Sequence, residues 1–363
     1  MSCRTHRRES SINKTVLYLT DHPWSTPVTS ILNRRTFLIT GLALLAACGS
    51  STAAPKAAPA PAPATAAAPT TAGPTTAAPT TAAAPKAAVT PSGRTLKIGA
   101  IPDATPEKLD QTNKALAAYL AKALAVKVEY VPVNDYPAAV TQFRNGDLDL
   151  VWFGGLTGVQ ARLQTPGATV LAQRDIDDEF HSIFIVNTST GIAPLASVAE
   201  LAKLKGLRFT FGSEASTSGR MMPEFFLDQA GLDPKKDFSG AAGFSGSHDK
   251  TIDLVQAGTF QGGVVNEQVW KRRSGDGSVD ASKVVAVLRS PGYRDYHWIA
   301  GPDTDKRFGS GFSDKIKAAL LSADADADGA KALGLLGSKK FVPANAANYG
   351  EIESIGRKLG LIS

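Results

Sequence analysis

The chain has 363 residues and a formal net charge of +6. All of that excess lies in residues 1–93, where eight Lys or Arg face only Glu9 and Asp21; the remainder is formally neutral and offers no general basic surface to nucleic acid. Both cysteines, Cys3 and Cys48, precede residue 50, which excludes a disulfide framework or a cysteine metal site from the rest, a stretch long enough to bury a core without either.

From the N-terminus, residues 34–48 read as a basic pair, a short apolar run and small residues ending at Cys48. That is the order of a bacterial secretory signal, and the run is shorter than the roughly 20 apolar residues that span a bilayer. Leu45-Ala46-Ala47-Cys48 resembles a lipobox, which implies cleavage before Cys48 and acylation of that cysteine. Asn33-Arg34-Arg35-Thr36-Phe37-Leu38 resembles the twin-arginine export signal. Residues 1–48 are thus expected to be an N-terminal extension with a lipoprotein signal. Residues 49–93 are nearly all Ala, Pro and Thr, a composition that blocks helix and cannot build a core, and are expected to be a disordered tether.

Ordered elements are expected from Arg94 onward. Leu96–Ile101 alternates as a strand, Pro106–Ala125 carries one apolar helical face, Val126–Pro132 is a strand, and Tyr136–Asn145 is a helix closed by Asn145-Gly146. Leu148–Phe153 is a strand running through Gly154-Gly155 into a helix at Thr157–Leu163. The second half repeats the theme, with a strand at Arg208–Phe211, helices at Arg220–Ala230 and Thr251–Gln256, and a buried strand at Gly263–Val265. Alternating strands and helices predict an α/β chain with parallel strands in two lobes. Ser182–Asn187 and Val284–Arg289 are the expected crossing strands, and the C-terminal helices from Asp314 return to the first lobe. The lobes are expected at 94–186 with 290–363, and at 187–289.

The sharpest chemical signal is Phe211-Gly212-Ser213-Glu214-Ala215-Ser216-Thr217-Ser218-Gly219, between a strand and a helix. A helix N-terminus has unpaired amides and partial positive charge, so it holds an anion without a full counter-charge. Capping needs one hydroxyl residue; three in a row beside a glycine point to a ligand loop.

At this loop the chain resembles the phosphonate-type periplasmic binding proteins of ATP-driven importers. The resemblance rests on ordered motifs: Gly99-Ala100-Ile101-Pro102-Asp103, Asp135-Tyr136, Gly146-Asp147-Leu148-Asp149-Leu150, Trp152-Phe153-Gly154-Gly155, Ser216-Thr217-Ser218-Gly219, Gly246-Ser247-His248-Asp249 and Pro291-Gly292-Tyr293-Arg294-Asp295. It implies an α/β, two-lobed binding-protein fold of type II, with two crossing hinge strands and a ligand cleft between the lobes. It further implies that Tyr136 donates its phenol to an oxyanion, that Ser216, Thr217 and Ser218 hold the oxygens, and that His248 and Asp295 complete the site, with Gly154, Gly155 and Asn266 lining it. The expected partners are a small oxyanion, the permease and ATPase of a transporter, and the membrane through the Cys48 anchor; the chain is expected to act as a monomer, without nucleic acid.

Two departures bear on the ligand. Asn266 stands where binders of aminoalkylphosphonates often carry an acid, and Phe180-His181-Ser182 replaces a usual aromatic; both favour a smaller oxyanion without an amine. The segment from Trp152 to Arg162 resembles the branch assigned to selenate. Against selenate, an ionised Asp295 would accept a hydrogen bond from a hydrogen-bearing phosphorus oxyanion and repel one that only accepts.

Other chemistries are set aside. Ser216 or Ser218 with His248 and Asp249 lacks the Gly-x-Ser-x-Gly elbow of a hydrolase. His181, His248 and His297 lack metal-ligand spacing, and no metal or cofactor is expected. Asp324-Ala325-Asp326-Ala327-Asp328-Gly329 has Leu335 where a calcium loop needs its twelfth-position acid. There is no Gly-x-x-x-x-Gly-Lys-Ser/Thr loop for ATP.

Overall fold

The computed structural model describes residues 93–363; the expectations for the extension, Cys48 and the tether lie outside the described residues. The first sheet forms from β1 (Thr95–Ala100), helix α1 (Pro106–Leu124), β2 (Lys127–Tyr130), α2 (Tyr136–Arg144), β3 (Leu150–Phe153), α3 (Gly155–Gln164) and β4 (Thr169–Arg174). The chain then passes into β5 (Ser182–Asn187), β6 (Phe209–Phe211), α4 (Met222–Gln229), β7 (Gly243–Phe244), α5 (His248–Gln256), β8 (Gly262–Asn266), α6 (Glu267–Gly275) and β9 (Val284–Arg289). It returns through β10 (His297–Ala300), α7 (Thr304–Phe308), α8 (Phe312–Leu321), α9 (Ala327–Leu335), β11 (Phe341–Pro343) and α10 (Gly350–Lys358).

These strands make two sheets, β11-β4-β10-β3-β1-β2 and β7-β6-β8-β5-β9. The α/β alternation stands, but both sheets are mixed. β1 is parallel to β2 and β3, whereas β10 lies antiparallel between β3 and β4. In the second sheet β6 is parallel to β7 and β8, and β5 is antiparallel to β8 and β9. β11 is likewise antiparallel to β4, so β10 and β11 in the first sheet and β5 in the second run against their neighbours.

The expected crossing strands are also displaced. β5 and β9 pair with each other inside the second sheet, so that sheet begins at Ser182, inside the span expected for the first lobe. The crossing itself is the ribbon just outside them. Phe180 N–H donates to the Tyr293 carbonyl at 2.7 Å, Tyr293 N–H to that of Phe180 at 3.0 Å, and Asp295 N–H to that of Asp177 at 3.2 Å. The apolar strand pattern of 182–187 is legible in the sequence; which sheet receives it depends on partners far along the chain.

Local chemistry explains the elements that carry the site. Thr105 caps α1, and Leu116, Tyr119 and Leu120 bury one face of it; the Tyr119 hydroxyl reaches the Ala319 carbonyl at 2.5 Å and ties α1 to α8. Asp135 caps α2 by accepting the Ala138 N–H at 2.7 Å, with Pro137 in the first turn, where a missing N–H costs nothing. That cap sets Tyr136 pointing inward at 1% exposure. All four residues of β3 are buried, and Phe153 packs edge-to-face on Phe143 at 5.5 Å. Among the described residues no helix is long and apolar enough to cross a membrane.

Candidate functional site

The loop after β6 turns into a helix at the expected hydroxyl cluster. Ser216 is extended and caps the turn by accepting the Gly219 N–H at 2.9 Å. The first turn, Thr217–Met221, is a wide π turn continuous with α4. A wide turn leaves its leading amides without partners inside the helix. Ser216, Thr217 and Ser218 are each at most 2% exposed, unlike ordinary surface caps.

His248 is the first residue of α5, after the cap Ser247. A Cβ on Gly219 would lie 2.9 Å from both the His248 Cε1 and the Ser216 Oγ, so glycine lets the imidazole and the hydroxyl loop meet. The Asn266 N–H donates to His248 Nδ1 at 3.2 Å, which places the ring proton on Nε2. Burial holds the imidazole down at about 4, so it is neutral near pH 7 and presents Nε2–H as a donor.

Asp295 sits on the returning arm of the hinge, 1% exposed. Its Oδ1 accepts the Gly155 N–H at 2.8 Å. Burial pushes its carboxyl up to about 7, against the lowering effect of that bond and of the nearby Thr217 and Ser218 hydroxyls. A Cβ on Gly154 would crowd the Asp295 Oδ1 at 3.2 Å and the Thr217 Oγ1 at 3.3 Å. The glycine pair is therefore the condition for the carboxylate and the hydroxyl loop to approach the start of α3.

Six buried side-chain polar atoms among the described residues have no hydrogen-bond partner, and four of them are the Tyr136 hydroxyl, the Ser218 hydroxyl, His248 Nε2 and Asp295 Oδ2. Buried polar groups are normally paired, and each orphan calls for an explanation. Asp295 lies near Tyr136 and Ser218, and His248 lies against the Ser216–Gly219 loop. Burial and then the charge of Asp103 raise the Tyr136 phenol, which also feels Ser216 and Asp295. The Ser216 hydroxyl lies near that phenol, but the Tyr136 oxygen makes no hydrogen bond to it. Three of the four atoms can donate and the fourth is a carboxyl oxygen, a set that complements a small oxyanion with at most one proton to give.

The family model for the periplasmic phosphonate substrate-binding protein of ABC transporters matches residues 98–349. The chain belongs to that family. It is 49% identical over 270 residues, 74% of its length and 91% of the other's, to the probable ABC transporter phosphite binding protein PhnD1 of Prochlorococcus marinus. The solved structure of that PhnD1 with methylphosphonate superimposes with a TM-score of 0.73 at 48% identity, covering 75% of this chain and all of that one. A binding component of a phosphonate transporter from Pseudomonas aeruginosa shares the fold, with a TM-score of 0.63 at 18% identity over 73% of this chain and 86% of that one. The two sheets are accordingly those of the two-lobed periplasmic binding-protein fold. As a member of the phosphonate-binding family the chain is an extracytoplasmic binding protein of a transporter and not an enzyme; its partners are a small ligand and the permease and ATPase.

Within this binding protein the expected residues divide. Tyr136, Ser218, His248 and Asp295 present free polar atoms, Ser216 holds the loop, and the Thr217 hydroxyl accepts the Leu156 N–H. Gly155 gives its N–H to Asp295, and Gly154 supplies space. Asn266 also has partners inside the protein: its Oδ1 accepts the Val269 N–H as the cap of α6 at 2.7 Å, and its Nδ2 donates to the Tyr296 hydroxyl at 3.0 Å. Its position after β8 makes it a cap first.

Sequence reasoning missed the hinge cluster. Arg174 binds Asp177 with Nη2 at 2.7 Å and Nε at 2.9 Å, and its Nη1 donates to the Leu336 carbonyl at 2.8 Å. The guanidinium lies over Trp152, Phe180 and Tyr296, 4.8–5.6 Å from their centroids, a cation–π arrangement. Burial alone would lower this arginine, and Asp177 outweighs it, so it is held above its usual range. The one available signal was an Arg and an Asp three residues apart after an apolar run. Beside this cluster a cavity of about 450 Å³, lined by Asp103, Trp152, Arg174, Asn266 and Tyr296 among others, runs between the lobes.

Proposed function

We propose that this chain is the lipid-anchored capture subunit of an importer for a small phosphorus oxyanion of the phosphite or methylphosphonate kind, held to the membrane through Cys48. The observation that carries the reading is the set of four buried, unpartnered polar atoms on Tyr136, Ser218, His248 and Asp295. Three can donate to oxyanion oxygens, and Asp295 can accept the proton of a hydrogen-bearing oxyanion. The phosphite and methylphosphonate attached to the similar PhnD1 support the same class. The lobes close on the anion about the hinge ribbon, and the closed form is what the permease receives.

A second reading, a selenate or sulfate binder, is favoured by one observation. A carboxyl raised to about 7 can keep its own proton and donate it to a fully ionised oxyanion. Charge at Asp295 therefore discriminates less sharply than an always-ionised aspartate would. Calorimetry of phosphite, methylphosphonate, phosphate, selenate and sulfate on the full chain tests the assignment: tighter binding of a phosphorus ligand is expected, and a preference for selenate overturns it. The anchor is tested separately: Cys48→Ser should move the protein from the detergent phase to the aqueous phase with oxyanion affinity unchanged. Continued partitioning with detergent would refute it.

A further inference from the structure

The start of α3 is capped from a distance. Gly154, at the cap position, has no side chain to cap with. Instead the Gly155 N–H goes to Asp295, 140 residues away, and the Leu156 N–H goes to the Thr217 Oγ1 at 2.9 Å, 61 residues away. Leu156 belongs to the lobe of the first sheet and Thr217 to the lobe of the second. The bond is buried.

We infer that Thr217 is the latch of the closed form, its oxygen binding the Leu156 amide of the opposite lobe while its hydrogen is left for the captured oxyanion or for Asp295. A hydroxyl has one hydrogen and two lone pairs, so one side chain can serve both bonds at once. The fit is tight on the first-lobe side: a Cβ on Gly155 would lie 3.3 Å from the Thr217 Cγ2 and 3.2 Å from the Arg294 carbonyl. Opening the cleft returns the Leu156 amide to water, where it is satisfied. Closing without the Thr217 oxygen buries that amide unpaired, a penalty confined to the closed state. Removing the hydroxyl should therefore shift the closure equilibrium as well as weaken the ligand contact.

This inference rests on the oxyanion-binding reading, and the test separates the two. Residues 94–363 contain no cysteine, so spin labels at Lys127→Cys in the first lobe and Lys203→Cys in the second, in the full chain with Cys3→Ser and Cys48→Ser, report interlobe distance alone. With saturating methylphosphonate, the parent and Thr217→Ser should give one short distance. Thr217→Val, which keeps the shape, should retain an open population and release ligand about tenfold faster, with association changed by less than about twofold; Thr217→Ala is the second variant should Val misfold. Full closure of Thr217→Val at saturation overturns the latch even if affinity falls, since Thr217 would then be a ligand contact only. The latch is equally overturned if Thr217→Ser stays open like Thr217→Val. A parent that neither binds nor closes on methylphosphonate or phosphite removes the binding reading itself, and the latch with it.

Discussion

Two buried polar clusters, one on the hinge and one joined to it through Asp295, use their polarity in opposite ways. In one, Arg174 and Asp177 are almost fully buried, doubly hydrogen-bonded, roofed by three aromatic rings and tied to the Leu336 carbonyl. In the other, Tyr136, Ser218, His248 and Asp295 are as deeply buried, yet each leaves a polar atom unpaired. Burial and charge alone do not distinguish them. The first cluster has closed its hydrogen bonds within the protein, so its energy goes into holding the crossing rigid. The second leaves four polar atoms open, a standing cost that a ligand of matching shape would repay.

The largest effect should come from breaking the closed cluster. Asp177→Ala leaves a buried guanidinium without its partner and should cost about 3–5 kcal/mol of folding stability in chemical denaturation. A variant that keeps its stability and loses only oxyanion affinity would move Arg174 from the scaffold into the site.

The open cluster should respond in reverse. Tyr136→Phe and Ser218→Ala should each weaken oxyanion binding by about 1–3 kcal/mol, the scale of a bond to a charged group, while leaving the unliganded protein equally or more stable because an orphaned hydroxyl is gone. Calorimetry paired with thermal unfolding reads both quantities. Loss of stability in both variants, without loss of affinity, would mean that these hydroxyls have partners inside the protein and that the contrast is false.

Asp295 sharpens the comparison through pH. Its carboxyl is raised from the usual range to about 7, so the stability its protonated form contributes is complete below about 4 and is lost as pH rises through 7. Asp295→Asn should flatten the fall in unliganded melting temperature over roughly pH 4 to 7. In the parent, selenate affinity should fall as pH rises through about 7, where the donor proton is lost, and in the variant it should not. A parent profile that is flat in both measurements would place a fixed charge at Asp295.

The smallest effect belongs to the cap. Asn266→Ala removes the Oδ1 acceptor at the start of α6 and should cost about 1 kcal/mol of stability, with a smaller loss of affinity through Tyr296 and the backbone that orients His248. A loss of affinity as large as that of Ser218→Ala would return Asn266 to the ligand set.

Much of this was written locally. The alternation of apolar strands and capped helices determined the α/β class, because strand and helix periods are properties of a few neighbouring residues. Ser216-Thr217-Ser218 before a helix marked a candidate ligand loop for the same reason: free amides and hydroxyls at a helix start need no distant partner to be recognised. His248 and Asp295 were reached only through the family's ordered motifs, since neither has a local signature. Tertiary structure alone decided the rest. The antiparallel seat of β10, the assignment of Ser182–Asn187 to the second sheet, the Arg174–Asp177 anchor and the reach of Thr217 to Leu156 all join residues whose pairing is settled by three-dimensional neighbours. So does the division between Asn266, which closes its hydrogen bonds on a helix cap and Tyr296, and Ser218, which does not. Which buried polar atoms remain open follows from how every other donor and acceptor in the lobe has been satisfied, and that accounting exists only once the chain is packed.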